Sequence, residues 1–259
     1  MTELVSPASY LSGLRSLLER IEQGQDEQII AAVELMATTI ESGGLVHLFG
    51  SGHSMLPVLE IFPRYGSFVG LHPLTDPRLF WFNVLGSFGV PEMLFLQNTE
   101  GYADVFLDGQ HLSAGDVLVI FSHGGTSAVV VDSARYAKRN GLSVIAISSS
   151  ETADASPRHS SGLKLADLAD AVVDTGSPRS EALIDLDGLP EPVGAVTTLL
   201  ATATGLALVC GVAELLVARG YPLVQSVRVE KDETTAYRRV YEAYEHSVHR
   251  RPPVTDSQS

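Results

Sequence analysis

The chain has 259 residues, 45% hydrophobic content and a formal net charge of −14. This length and apolar content predict one large folded domain with short appendages. The negative charge argues against nucleic acid as a partner, because phosphate backbones are bound by clustered Lys and Arg. The single cysteine, Cys210, excludes an intrachain disulfide framework and thiolate zinc centres. Together with an N-terminus that does not resemble a secretory signal, it favours a cytoplasmic protein.

Two helical patterns open the chain. Ser6 and Pro7 are typical of a helix start, and apolar residues then recur at helical spacing as far as Ile21. A second pattern begins at Asp26 and stops before Gly43. We expect residues 1–42 to form an N-terminal helical pair that takes part in dimerisation.

Six short apolar segments predict strands, and helical patterns lie between most of them. Strands of continuous apolar residues that alternate with helices are typical of a parallel sheet covered on both faces. The predicted fold is therefore a three-layer α/β/α sandwich with a central parallel sheet. The predicted strands are residues 45–49, 67–71, 93–97, 117–121, 143–148 and 171–174, and the intervening helices are 55–63, 128–140 and 163–169.

The segment 193–213 has no charged residue and is just long enough to cross a membrane. It contains several threonines and glycines, and Glu191 and Glu214 flank it where Lys or Arg would be expected. We interpret it as a buried helix, packed in the core or against another subunit, and expect no membrane partner. Residues 221–259 are expected to be a C-terminal extension with a last helix at 232–249 and a frayed tail at 250–259.

Two loops carry the residues from which chemistry is expected. Each follows a predicted strand and leads into a helix, so both lie at the carboxyl edge of the sheet, where ligands bind in such folds. Glycines let backbone N–H groups approach an anion, helix N-termini add positive partial charge, and hydroxyl groups donate hydrogen bonds. The alternative for each loop alone is a tight turn with Ser54 or Thr126 as the helix N-cap. The loops are Gly50, Ser51, Gly52, His53 and Ser54, and Ser122, His123, Gly124, Gly125, Thr126 and Ser127.

Three residues are candidates for proton transfer. Glu60 lies on the helix after the first loop, with an ion pair to Arg64 as the alternative. Glu100 follows the predicted strand 93–97, with an ordinary loop position as the alternative, and His53 lies within the first loop. His47, inside a strand, is expected to be a satisfied core imidazole.

Two further residues, Arg158 and His159, lie in a loop after the strand 143–148, where they could face the ligand or remain exposed. No metal site is expected, because no paired His or Cys spacing is present. No cofactor is expected either.

At these loops the chain resembles the SIS (sugar isomerase) family. Gly50, Gly52 and Ser54 match the family's glycine-x-glycine-x-serine pattern, and residues 119–148 resemble its second loop with the following helix and strand. The similarity spans residues 41–218 and is closest to a poorly characterised bacterial subfamily. Phe121 and His123 stand where the family's second loop usually has serines. Ser122, Thr126 and Ser127 could substitute for those hydroxyls, or His123 could instead add a proton-dependent charge near the anion. The resemblance implies that residues 43–220 form a SIS domain.

The resemblance implies that the chain binds a phosphorylated or otherwise anionic sugar, and that it isomerises this sugar with a carboxylate base. It also implies a homodimer or higher homo-oligomer. Two alternatives stay open: a non-catalytic protein that binds or senses a sugar phosphate, and a phosphosugar lyase or etherase. We expect that a carboxylate within reach of the anion pocket would distinguish an enzyme from a binding module.

Overall fold

A computed structural model describes residues 5–24, 26–80, 89–225 and 233–249. Its centre is a sheet of five parallel strands in the order β2-β1-β3-β4-β5. Consecutive strands are joined across the faces of the sheet, as the alternation of strands and helices predicts. The strands are β1 (Val46–Gly50), β2 (Leu71–Pro73), β3 (Val117–Phe121), β4 (Ser143–Ser148) and β5 (Ala171–Asp174). A separate antiparallel hairpin consists of β6 (Ala182–Ile184) and β7 (Val193–Ala195).

Eight helices surround these strands within the described residues. The first two and the last agree closely with the helices predicted from periodicity. The helices are α1 (Ser6–Gly24), α2 (Asp26–Glu41), α3 (Met55–Ile61), α4 (Gly89–Gln97), α5 (Tyr102–Asp108), α6 (Ala128–Arg139), α7 (Thr197–Ala218) and α8 (Glu233–His249).

The hydrophobic core lies on both faces of the sheet. Alternate residues of a strand point to opposite faces, so Val119 and Phe121 join one cluster with α2, α3 and α7, while Leu118 and Ile120 join another with α5 and α6. All five residues of β3 are buried. The three-layer α/β/α sandwich is therefore confirmed. Helix α2 belongs to this core, because its Met36 and Ile40 are buried in the first cluster.

Helix α7 is long and apolar enough to cross a membrane by length and composition alone. It packs on α2 and α3, and its buried face contributes Leu208, Val212 and Leu216 to the core. Its opposite face is open in the single chain, where Leu199 and Val217 are exposed. Gly205 allows the close approach of α7 to the sheet, because a β-carbon there would press against Ile61 and the Phe121 ring.

Three predicted elements differ from the structure. Residues 93–97 were predicted as a strand but form the end of α4, in which Met93 is buried while Phe95 is exposed. The predicted strand 67–71 is displaced to β2, and Phe68 and Val69 form only isolated bridges. The predicted helix 163–169 is reduced to a short 3-10 turn at Leu165–Asp167.

Toward the C-terminus, the structure contains a hairpin that was not predicted, and the predicted tail is not described. The hairpin β6–β7 was not predicted, and its second strand, β7, occupies the start of the segment interpreted as a continuous apolar helix. The predicted tail 250–259 lies outside the described residues.

Candidate functional site

The two predicted loops meet in one cavity at the carboxyl edge of β1 and β3. Its volume is about 10 Å³, room for about one water molecule, so only one small group of a ligand fits inside it. Most of its walls are hydroxyl or imidazole side chains. The lining residues are His53, Ser54, Ser122, His123, Ile147, Thr175, Ser177, Thr197, Thr198 and Ala201.

The first loop folds back on itself after β1. A β-carbon at Gly50 would overlap the carbonyl oxygen of Ser54, so this position requires glycine. Gly52 has φ of 60°, the left-handed region that glycine adopts without strain. This backbone turns His53 and Ser54 toward the cavity. The Ser54 hydroxyl makes no helix-capping hydrogen bond, so capping does not explain its presence.

The second loop is held by hydrogen bonds on both sides. The Ser122 hydroxyl accepts from the Gly125 N–H at 3.1 Å, and the His123 carbonyl accepts from the Ser149 N–H at 3.0 Å. Gly125 has φ of 60°, and its carbonyl accepts from the Leu165 N–H at 2.9 Å. The loop leads into the N-terminus of α6, while α7 begins at Thr197 in the cavity wall. Two helix N-termini therefore contribute positive partial charge near the cavity.

His123 is the clearest sign of a ligand. Both its ring nitrogens are buried and have no hydrogen-bond partner of normal geometry among the described residues. A buried nitrogen without a partner costs free energy, so such groups in native proteins call for an explanation. In a hydroxyl-lined cavity, the direct explanation is a polar ligand group or water that completes these bonds.

The second imidazole in the wall, His53, is held on both sides. Its Nδ1 lies 3.1 Å from the Thr198 hydroxyl, and its Nε2 lies 3.5 Å from the Glu181 carboxylate. Burial lowers the pKa of His53, and Glu181 opposes this by favouring the charged ring. Burial also lowers the pKa of His123, against the opposing effect of Glu181, with His53 lowering it further and the Arg179 backbone raising it.

Glu181 comes from the hairpin and is a residue that the sequence did not single out. Its φ of 62° makes it the one residue other than glycine with positive φ in the described parts of the chain. Such a backbone is uncommon for residues with a β-carbon and often accompanies function. The Glu181 carbonyl accepts from the Val196 N–H at 2.9 Å, which fixes this conformation beside α7.

Glu60 and Glu100, the two carboxylates predicted as bases, do not line the cavity. Glu60 pairs with Arg64 on the exposed side of α3, as the alternative for this residue predicted. Glu100 accepts from the N–H and hydroxyl of Ser160, at 2.7 and 2.6 Å. Its predicted place at the ligand edge rested on a strand at 93–97, and that segment is helical. Neither residue supplies a carboxylate to this cavity.

Arg158 and His159 also lie away from the cavity lining. His159 is buried, with its Nε2 2.9 Å from Asp132 on α6 and its Nδ1 2.7 Å from the Ser161 hydroxyl. Arg158 is exposed. This loop is therefore tied to α6, which gives His159 a structural explanation.

Several other predicted binding residues shape or flank the loops without lining the cavity. The Ser51 hydroxyl faces Gln97 at 3.3 Å. Thr126 and Ser127 lie at the start of α6, where the Ser127 side chain makes no capping bond. Gly124 and Gly125 form the backbone of the second loop and border a different cavity.

That second cavity is larger, about 200 Å³, but its chemistry is less suited to an anion. Its lining is mainly apolar, and its charged groups already have partners. Asp174 accepts from the N–H and hydroxyl of Ser150, and the Lys164 ammonium donates to the Ala153 carbonyl. We therefore assign the candidate site to the cavity that holds His53 and His123.

Four hydroxyl residues that line the cavity were not predicted from the sequence as binding residues. Thr175 and Ser177 directly follow β5, so the rule that ligands bind after strands could have found them. Thr197 and Thr198 were noted only as polar residues in an apolar segment. Nothing local in the sequence marks them, because the β6–β7 hairpin separates them from the sheet.

The geometry suits one small anionic or polyhydroxylated group. Hydroxyl groups and helix N-termini donate hydrogen bonds without a fixed charge, and two imidazoles can add charge when they bind protons. Among the described residues, no group of three or more His, Cys, Asp or Glu side chains is placed to hold a metal ion.

Comparisons with known proteins agree with this architecture. The sequence profile of the SIS domain matches residues 9–149. A UPF0309 protein of Streptomyces coelicolor is 32% identical over 235 residues, 89% of this chain and 92% of that protein. A UPF0309 protein of Oceanobacillus iheyensis is 29% identical over 243 residues, 93% of this chain and 97% of that protein.

Solved structures share the fold at low sequence identity. A phosphoheptose isomerase of Neisseria gonorrhoeae has a TM-score of 0.53 at 17% identity, covering 82% of this chain and 97% of that chain. The sugar isomerase domain of an RpiR transcription factor from Sphaerobacter thermophilus has a TM-score of 0.50 at 16% identity, covering 93% and 99%. The sequence and fold findings together show that this chain belongs to the SIS domain family.

Proposed function

We propose that the protein binds a phosphorylated or otherwise anionic sugar, with its anionic group in the cavity, and that it isomerises this sugar. The observation that carries the proposal is that neither buried ring nitrogen of His123 has a hydrogen-bond partner of normal geometry among the described residues, although the ring lies in a wall of hydroxyl groups. An anionic oxygen supplies the acceptor that these groups require. The family's solved relatives include phosphoheptose isomerases, which supports a sugar phosphate as the ligand class.

The small volume of the cavity restricts how such a ligand would lie. Because only one small group fits inside the cavity, the anionic group would lie at His123, Ser54 and Ser122, with the sugar toward the mouth of the cavity. His53, on the same wall, is then the nearest group able to exchange a proton at neutral pH. Isomerisation moves one proton between adjacent carbons, so the sugar keeps its composition and its overall oxidation state.

Binding is tested by thermal shift with a panel of sugar phosphates, each paired with its neutral sugar, and with inorganic phosphate alone. A ligand raises apparent stability by RT ln(1 + [L]/Kd). We expect phosphorylated members to raise the melting temperature and neutral sugars to have little effect. No response to any phosphorylated compound would contradict the proposal.

A second candidate function is sugar-phosphate binding without chemistry. It is favoured by the absence of any carboxylate among the described residues that line the cavity. The two functions can be distinguished by incubating the protein in D₂O with a compound that binds to it. Deuterium entry at the carbon next to the carbonyl, with a new isomer, supports the enzyme. A thermal shift without exchange supports the binding protein.

We further propose that the protein is a cytoplasmic homodimer that uses the open face of α7. Leu199, Val217 and the lone Cys210 are all exposed on this helix. Light scattering at micromolar concentration is expected to give a dimer, and Leu199→Glu to shift it toward monomer. Val105→Glu, at a more exposed apolar site on α5, is the control. A monomer for the unmodified protein would contradict the proposal.

A further inference from the structure

Three side chains from separate elements form a continuous chain at the cavity wall. Glu181 lies at the base of the β6–β7 hairpin, His53 in the first loop, and Thr198 in the first turn of α7. The Glu181 carboxylate lies 3.5 Å from His53 Nε2, and His53 Nδ1 lies 3.1 Å from the Thr198 hydroxyl. His53 and Thr198 line the cavity, whereas Glu181 stands behind them.

We propose that Glu181, His53 and Thr198 act as one unit that matches the hydrogen bonding of the cavity to the charge of the group it holds. The inference rests on the proposed anion site and adds positioning residues to it. Glu181 acts through His53, and His53 acts through Thr198, in the way that a carboxylate orients an imidazole in other carboxylate–imidazole–hydroxyl chains.

The direction of the hydrogen bond between His53 and Thr198 follows from the contact that His53 makes with Glu181. A carboxylate only accepts, so Nε2 carries the hydrogen that faces Glu181. In neutral His53, Nδ1 is then the acceptor, and the Thr198 hydroxyl donates to it. The free lone pairs of Thr198 Oγ1 can accept a hydrogen bond from a ligand hydroxyl.

Uptake of one proton by His53 reverses this arrangement. The proton binds at Nδ1, which then donates to Thr198 Oγ1, and the Thr198 hydroxyl hydrogen turns toward the cavity. The wall thereby changes from an acceptor for a hydroxyl group to a donor for an anion. The proton comes from solvent or from a monoanionic phosphate, and no bond other than those to this proton is made or broken.

The backbone around Glu181 supports a dedicated role. Glu181 keeps a left-handed φ of 62° although glycine would adopt it without strain. The hairpin is fixed in place, because the Tyr10 hydroxyl donates to the Ala195 carbonyl at 2.9 Å and Leu183 packs against the cluster of Leu17 and Leu200. The carboxylate is therefore held at His53 by an anchored element.

The charged surroundings of His53 come from two other directions. The pKa of His123, in the second loop, is raised by the same Glu181 carboxylate and lowered by His53. Arg179, on the segment before the hairpin, approaches His123 through its backbone. Glu181 is the group that favours the protonated form of His53, whereas burial opposes it.

The test uses the full chain with labelled histidines and nitrogen-15 NMR, with the His53 signal assigned by its loss in His53→Gln. In the unmodified protein we expect the tautomer with hydrogen on Nε2. Glu181→Gln is expected to lower the pKa of His53 and to weaken this tautomer preference. Glu191→Gln, an exposed site on the same hairpin, is expected to change neither.

Glu181→Gly distinguishes an effect of the carboxylate on His53 from an effect on folding. It removes the carboxylate but accepts the left-handed backbone, so relief of strain offsets the added chain entropy of glycine. We expect a melting temperature close to that of the unmodified protein together with the same change at His53 as in Glu181→Gln. An unchanged His53 pKa in both variants, or hydrogen on Nδ1 in the unmodified protein, would overturn the inference.

Inorganic phosphate is the probe for the third member. Thr198→Val keeps the side-chain shape but removes the hydroxyl, and we expect phosphate binding to weaken about ten-fold or more, as for loss of one hydrogen bond to a charged group. Thr198→Ser is expected to restore it, and equal phosphate affinity in the valine and serine variants would overturn the role of Thr198. No phosphate binding in the unmodified protein, with the expected tautomer and pKa changes, would contradict the proposed function but support the coupling of Glu181 to His53.

Discussion

Two pairs of histidines lie toward opposite edges of the parallel sheet, and they differ in how their ring nitrogens are satisfied. Near the amino end of β1, buried His47 bonds His72 through Nδ1 and Asp116 through Nε2, both at 2.9 Å. At the carboxyl end, His123 has two buried nitrogens without a partner of normal geometry among the described residues. The first pair has a complete structural explanation, as predicted for His47. In the second pair, His53 is held by Thr198 and Glu181, and only His123 requires a ligand or water to explain its ring nitrogens.

The comparison teaches that burial alone does not identify a functional histidine. The ring nitrogens of His123 are buried, as the whole of His47 is, and both His47 and His53 lie beside a carboxylate. What separates His47 from His123 is whether the fold supplies the hydrogen bonds. Asp116 also accepts from the Leu45 and Ser113 backbone N–H groups at 2.9 Å each, so that cluster holds three segments together.

The largest effect is expected for Asp116→Ala. The change leaves the His47 ring and two backbone N–H groups without their acceptor in a buried site, so we expect the free energy of unfolding to fall by about 3 kcal/mol or more. Urea denaturation measures this. Asp104→Ala, which removes a partly exposed partner of Arg139, is the control and should cost about 0.5 kcal/mol. Equal losses of unfolding free energy in the two variants would contradict a structural role for the Asp116 cluster.

Leucine substitutions at the two ends should act in opposite ways. His47→Leu is expected to lower the melting temperature, because Asp116 and His72 lose a partner. His123→Leu is expected to leave it unchanged or raise it, because two unsatisfied nitrogens disappear. The same change should weaken inorganic phosphate binding about ten-fold or more. A large stability loss in His123→Leu would show that His123 is structural.

The pH dependence of stability should come from the carboxyl end. The pKa values of His53 and His123 lie below the ordinary value of 6.5. Below pH 6.5 the unfolded chain binds protons that the folded chain does not. The free energy of unfolding therefore decreases as the pH decreases, until the pKa values of the folded chain are reached. Melting temperatures between pH 8 and pH 5 measure this effect. The double variant His53→Gln, His123→Gln should flatten the decline, and an identical profile would contradict the assignment.

The smallest effects are expected for the two carboxylates outside the cavity. Glu60→Gln breaks an exposed helical ion pair and should cost about 0.5 kcal/mol or less. Glu100→Gln weakens the bonds to Ser160 on the surface. Neither change should alter the thermal shift that inorganic phosphate produces. Loss of that shift in either variant would extend the site beyond the cavity described here.

The main elements of the fold could be predicted from local patterns. β3, β4 and β5 occupy the predicted residues, because their continuous apolar runs are bounded by turn residues. The strand predicted at residues 93–97 was wrong, because a run of five apolar and polar residues fits a strand or a buried helix equally well. Tertiary packing decided in favour of the helix, which buries Met93 and leaves Phe95 in solvent.

The sequence by itself determined four of the five strands of the sheet, the family and the two glycine loops, because these depend on periodicity and on residues adjacent along the chain. Only the tertiary structure decided which side chains share the cavity. Thr198 and Glu181 reach His53 across more than 120 positions of sequence, through an anchored hairpin and the start of α7. A loop pattern cannot encode such a meeting, since it depends on how separate elements pack. Glu60 and Glu100 were therefore predicted from their positions after the first loop and after a predicted strand, whereas the carboxylate beside His53 is that of Glu181.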